Sequence, residues 1–248
     1  MTTYRQLDSD KTVATLQQLS NRISERFPDS SLNSVGKELL QIASESKERI
    51  RWIERPHTGL RIALILVIIL SLALIGLGVG VLFEQREAKF GLAEGLGAIE
   101  SALNEAIVLG AALLFLFSLE VRLKRTRSLQ MLHDLRAMSH VIDMHQLTKD
   151  PSQILNPNAS PTQSSPKRVL TPFQLSRYLD YCSELLSLIG KLAALYAQSL
   201  PDAVVVSAVN DIEILTTGLS RKIWQKIVMV DESNKAVVNA TKSPSLSQ

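Results

Sequence analysis

Between Ile62 and Phe83 the chain carries no charged residue. The run holds only Ile, Leu, Val, Ala, Gly, one Ser and one Phe over 22 positions. As a helix it measures roughly 33 Å, enough to cross a hydrocarbon core of about 30 Å. Hiding such a helix inside protein would take apolar cover on every side, and a chain of 248 residues has little to spare for it. The run is too long for a cleaved signal peptide, and a polar segment of 61 residues precedes it. It is therefore read as a transmembrane span.

A second apolar run, Ala106–Leu119, is shorter and is bounded by Asn104, Glu105 and Glu120. A charge at a helix centre costs roughly 2.5–3.5 kcal/mol on insertion scales, and less towards the ends. Residues 101–120 hold ten Leu, Ile, Val or Phe, each favourable by about 0.3–0.6 kcal/mol. With both carboxylates at the edges the aliphatic sum wins, which predicts a second span. A re-entrant or interfacial segment is the alternative.

Orientation follows from Lys and Arg. Lys47, Arg49, Arg51, Arg55 and Arg61 precede the first span; Arg122, Lys124, Arg125 and Arg127 follow the second. The connection carries Arg86 and Lys89 against Glu84, Glu87, Glu94 and Glu100. Both termini are thus expected in the cytoplasm, with a short acidic loop outside. Asn158-Ala-Ser160 and Asn239-Ala-Thr241 fit the glycosylation pattern, and this topology leaves both unmodified.

Gly76 and Gly80 form G-x-x-x-G in the first span, and Ala106 and Gly110 form a small-xxx-small pair in the second. Such spacing lets helix backbones approach closely. It serves either packing within the hairpin or homo-oligomerisation. Glu105 is the notable acid at the membrane edge, a functional candidate that also suits the favourable position of an acid in the first turn of a helix.

The flanking regions read as amphipathic helices. Val13, Leu16, Leu19, Ile23 and Phe27 form one stripe, broken at Pro28-Asp29-Ser30. Leu32, Val35, Leu39 and Ile42 begin the next, capped by Ser30 or Ser31 and running to about Arg55. Trp52 and Ile53, among arginines, suit a membrane interface, and Pro56-His57-Thr58-Gly59 reads as a hinge. No Gly or Pro lies between Ala111 and Asp150, so the second span is expected to continue as one helix to about Lys149, with Leu129, Leu132, Leu135 and Met138 on its packing face. Thr171-Pro172 starts a further helix with Thr as cap and Pro in the first turn. Pro201-Asp202 opens another, which is expected to end near Val230. On it, Arg221, Lys222 and Lys226 beside Trp224 could touch a membrane, but the commoner pattern is an exposed polar face with the aromatic inside.

Catalytic patterns are lacking: there is no phosphate-binding Gly loop, no G-x-S-x-G and no H-E-x-x-H. Gly91, Gly95 and Gly97 fall in the expected external loop. His133, His140 and His145 share a helix without the i, i+4 spacing of a metal pair. Cys182 is the single cysteine and falls in an apolar stripe, as a small core residue does. A net charge of +3 is too small to argue for nucleic acid. No cofactor is expected.

Three stretches, Arg26–Ser30, His140–Pro151 and Leu179–Gln198, resemble those of an uncharacterised family of bacterial two-span membrane proteins. The resemblance implies a bacterial setting and carries no activity. The expected fold is all-α, a two-helix transmembrane hairpin with a cytoplasmic antiparallel helical bundle. The expected organisation places cytoplasmic amphipathic helices at 1–59 and the hairpin at 60–121. An extension of the second span follows at 122–149, a Pro/Ser-rich linker at 150–171, a helical hairpin at 172–232 and a disordered tail at 233–248. The expected function is that of a non-enzymatic inner-membrane scaffold or adaptor. Its partners would be the lipid bilayer, further copies of itself and a cytoplasmic protein. A homo-oligomeric pore or membrane-disrupting effector is the alternative.

Overall fold

The computed structural model describes residues 5–55, 58–84, 92–149, 151, 163–164 and 170–242. Pro56 and His57 of the expected hinge lie outside these residues. So do Arg86, Glu87, Lys89 and Gly91 of the loop, most of the linker and the last six residues of the tail. Six helices are described: α1 Ser9–Arg26, α2 Ser31–Glu54, α3 Thr58–Glu84, α4 Leu92–Leu147, α5 Pro172–Ser199 and α6 Ala203–Lys242. There is no sheet among the described residues.

Local chemistry sets the helix starts. Asp8 caps α1, its carboxylate accepting from the amides of Asp10 at 2.8 Å and Lys11 at 3.2 Å. Ser30 Oγ accepts from the Asn33 amide at 3.3 Å and opens α2. Thr171 and Gln174 form a reciprocal capping box ahead of α5, with Pro172 in the first turn. The Asp202 carboxylate accepts from the amides of Val204 and Val205 at the start of α6.

Three boundaries differ from those expected. α4 begins at Leu92, so Gly95 and Gly97 are helical rather than in the loop. Each Gly costs a helix about 1 kcal/mol relative to Ala, which the surrounding Leu, Ala and Glu outweigh. α6 passes Val230 and runs to Lys242, because neither Gly nor Pro lies between Val230 and Pro244. Thr58 and Gly59 belong to α3 rather than to a hinge.

The chain divides into two units, residues 55–126 and residues 1–54 with 127–248. In the second, α1, α2, the last part of α4, α5 and α6 share one apolar core. α5 runs through its middle, packed along α6 and also touching α1 and α2. Leu135 and Ile142 of α4, Leu39 of α2 and Leu185 of α5 are fully enclosed. Burying a side chain of this size contributes about 1.5–3 kcal/mol. Ile53 belongs to this core rather than to an interface.

In the 55–126 unit the pattern reverses. Large apolar side chains point outward on α3 and the first half of α4: Leu77 is 67 % exposed, Leu114 74 % and Phe117 70 %. By length and composition, α4 from Ile99 and α6 from Ala203 can each cross a membrane, whereas the described apolar run of α3, Ile62–Gly78, is shorter. α6 owes its place to Val205, Val209, Ile223 and Val230, all buried in the core. A helix of a water-facing bundle has the same composition.

Candidate functional site

The small residues of the apolar helices are open. A Cβ added at Gly76, Gly80 or Gly110 would meet no described atom within 4 Å outside its own helix, and Ala106 is exposed. Glu105 is half-buried.

The basic residues on either side of the apolar unit have different surroundings. Lys47 and Arg51 both pair with Asp10 of α1, Arg51 at 3.7 Å. The Lys47 hydrogen bond, with the charges of Lys47 and Arg51, holds the Asp10 carboxyl below its usual range. Lys124 pairs with Glu120 at 2.9 Å, one turn back on α4. Arg55 and Arg122 are exposed and Arg125 is half-buried, while the Arg61 side chain lies outside the description. Arg127, read from the sequence only as an orientation signal, lies with its guanidinium 3.9 Å from the Trp52 ring centroid. This cation–π contact fastens the end of α2 to α4, and the proximity of Trp52 to several arginines was its only sequence sign.

A second junction lies at the far end of α4. Lys226 of α6 donates to the Gln146 carbonyl at 3.0 Å and to Gln146 Oε1 at 2.7 Å. Gln146 is buried, and its amide donates to Asp143 at 2.7 Å. An ammonium on the last carbonyls of a helix satisfies acceptors the helix cannot fill itself and opposes the partial negative charge there.

Aromatics gather between α1 and α5. Phe27 meets Tyr178 and Tyr181 edge-on, with centroids 5.6 and 6.2 Å apart. Arg22 and Arg177 lie over Tyr181, while Arg22 pairs with Glu184 and Arg177 with Asp180. Burial pushes the Cys182 thiol up to about 12 and raises the Tyr178 hydroxyl still further. The Tyr196 hydroxyl, between α2 and α5, is pushed up to about 12, also chiefly by burial. Ser46 Oγ is its neighbour, but the two do not make a well-formed hydrogen bond. A thiol kept protonated and enclosed is no nucleophile at neutral pH.

His133 and His140 are exposed on α4. His145 Nδ1 lies 2.7 Å from the Val141 carbonyl of the preceding turn. Among the described residues no three His, Cys, Asp or Glu side chains gather as metal ligands would. Trp224 is outside rather than inside, 63 % exposed. Ile223 holds the buried position, and one residue on, a helix has turned by about 100°.

Two hollows open on the outward side of α5, about 790 Å³ against α1 and about 580 Å³ against α6. The sequence did not mark them, because the Ser, Gly and Ala residues between the apolar positions of α5 carry no pattern of their own. Comparison with protein-family models, curated proteins and solved structures finds no match to this chain.

Proposed function

We propose that this protein is a non-enzymatic membrane scaffold or adaptor. α3 and the first half of α4 form the anchoring hairpin in an inner membrane, and the helical bundle presents binding surfaces in the cytoplasm. The observation that carries this reading is the reversal of burial between the two units. Most Leu and Ile side chains of the bundle face inward, with exceptions such as Leu147, Phe173 and Ile214, whereas the large apolar side chains of α3 and the first half of α4 face outward. Exposed apolar area on that scale is unfavourable in water, at about 25 cal/mol for each Å², and lipid removes the cost. The basic residues before α3 and after the apolar part of α4 favour cytoplasmic termini.

The open faces at Gly76, Gly80 and Gly110 favour assembly of several copies over packing within one hairpin. A pore is the weaker assembly, because Asn104 and Glu105 are the only polar residues between Ser101 and Phe117 available to line it.

The test is chemical crosslinking in the membrane, then affinity purification and mass spectrometry, on wild type and on the pair Gly76→Leu and Gly80→Leu. The adaptor reading expects a second protein in fixed ratio with both. Self-assembly through α3 expects a ladder of copies that the leucines abolish while membrane insertion persists. Recovery of the chain alone, as monomer, overturns both.

A further inference from the structure

We propose that two copies of this chain meet in the membrane along the outer half of α4, with Asn104 of each copy hydrogen-bonded to Glu105 of the other. This rests on the reading of α3 and α4 as membrane spans and names the surface through which copies join. The helix starts at Leu92, so Glu105 lies roughly 20 Å inside it. The favourable field of a helix start fades within the first turn, so it does not account for an acid there. The run between Glu100 and Glu120 measures roughly 28 Å, and all of it is needed to cross a core of about 30 Å. Asn104 and Glu105 therefore sit roughly 6–8 Å inside the hydrocarbon.

A carboxamide and a carboxyl at that depth need hydrogen-bonding partners. Asn104 is exposed, and α3 carries one polar residue between Ile62 and Phe83, Ser71. Depth can be counted from the cytoplasmic ends of the two apolar runs, Ile62 and Leu119. An antiparallel α3 then puts Gly76 and Leu77 level with Glu105 and Asn104, and neither side chain donates or accepts. Ser71 falls roughly 8 Å short of them.

The surroundings fit a second copy. Gly97, Ser101, Asn104, Val108 and Ala111 recur at alternating steps of four and three residues and form one stripe of α4. All five are exposed, and a Cβ at Gly97 would meet no described atom within 4 Å outside its own helix. Gly, Ser and Ala on this line let a second backbone come close. The half-buried positions Leu109, Ala112 and Leu116 lie about a quarter turn away, so the stripe is not the side of α4 that its own chain covers. Copies inserted by the same orientation signals run parallel. In parallel packing each side chain of the stripe enters a hole of four residues on the facing helix. For Asn104 these are Ser101, Asn104, Glu105 and Val108 of the other copy. The Asn104 amide then donates to the Glu105 carboxyl across the interface, and two-fold symmetry makes the bond twice. A single Asn on such a stripe also fixes the register. Glu100, exposed at the outer end of the same face, stays in water, where its charge is screened.

The experiment introduces Gly97→Cys or Val108→Cys singly into the full-length chain with Cys182→Ala, and oxidises its native membranes with copper phenanthroline. Disulfide-linked pairs are expected from both, at least tenfold above those from Ile99→Cys and Leu103→Cys on the far side of α4. Adding Asn104→Leu should lower the yield roughly tenfold; it makes the span more apolar, so insertion is kept. Glu105→Gln retains a hydrogen-bonding group and should keep most of the yield. Equal yields from both sides of α4 overturn the proposal, as does a yield that Asn104→Leu leaves unchanged or that Glu105→Gln lowers as far as Asn104→Leu does. So does the absence of pairs from Gly97→Cys and Val108→Cys in a chain that resists alkaline carbonate extraction, and the membrane scaffold reading then stands. A chain that alkaline carbonate releases from the membrane removes both.

Discussion

Cys182 shows how a single residue couples the core to pH. Its thiol ordinarily ionises near 9.0, and burial pushes it up to about 12. Tyr196 moves in the same direction from 10.0. Below the ordinary value both folded and unfolded chains keep the thiol protonated, and pH has no leverage through it. Above that value the unfolded chain releases its proton while the folded chain holds on, so stability falls as pH rises. The loss is on the order of 2 kcal/mol between about pH 9 and pH 11 for Cys182. Cys182→Ala should therefore flatten the alkaline fall in melting temperature of the detergent-purified protein, besides lowering stability at every pH through a small cavity. Parallel melting curves for wild type and variant across that range would contradict the assignment. The placement of Cys182 was legible, since it sits in register with Leu175, Leu179 and Leu186. The exposure of Trp224 was equally legible in register. Expecting it inside followed the usual habit of aromatics, and Ile223 and Ile227 already filled the inward positions.

Among the elements, helix cores were easier to read than helix ends or contacts between helices. Apolar periodicity located the helices of the bundle, because burial of one face dominates their energetics, and unbroken apolar runs located α3 and the first half of α4. The start of α4 and the end of α6 were misplaced because a Gly or a polar stretch only weakly opposes an established helix. The Lys226–Gln146 junction was not legible at all. It joins residues 80 positions apart, and a Lys near a helix C-terminus has no sequence marker when the helix belongs to another part of the chain. Replacing Lys226 with Met keeps the aliphatic stem and removes the donors. Hydrogen bonds to a charged group contribute roughly 1.5–3 kcal/mol, so Lys226→Met should destabilise the bundle by about that amount. The effect should concentrate in faster hydrogen exchange over residues 143–149, the end of α4 that Lys226 caps. Uniformly faster exchange across the bundle would mean the junction is ordinary packing, and unchanged exchange would mean it carries no energy.

For the molecule as a whole the governing fact is that α4 belongs to both units: it is apolar and exposed in its first half and amphipathic and buried in its second. A soluble fold has no use for the first half, and a purely lipid-embedded one has no use for the second. The orientation argument then turns on sign. Nine Lys or Arg lie just before the α3 apolar run or just after that of α4, and two lie in the connection between them. Moving basic flanks across a bilayer is disfavoured, whereas acidic residues in the short loop contribute little to orientation. Labelling with a membrane-impermeant maleimide tests this in a Cys182→Ala background, which removes the native thiol. Ala88→Cys, in the connection, should react in intact cells. Ser247→Cys, near the C-terminus, should react only after the membrane is opened. The opposite pattern would invert the topology and place the bundle outside the cytoplasm. Reaction of both in intact cells would put the two positions on the same side, so that either α4 does not cross the membrane or α6 crosses it back.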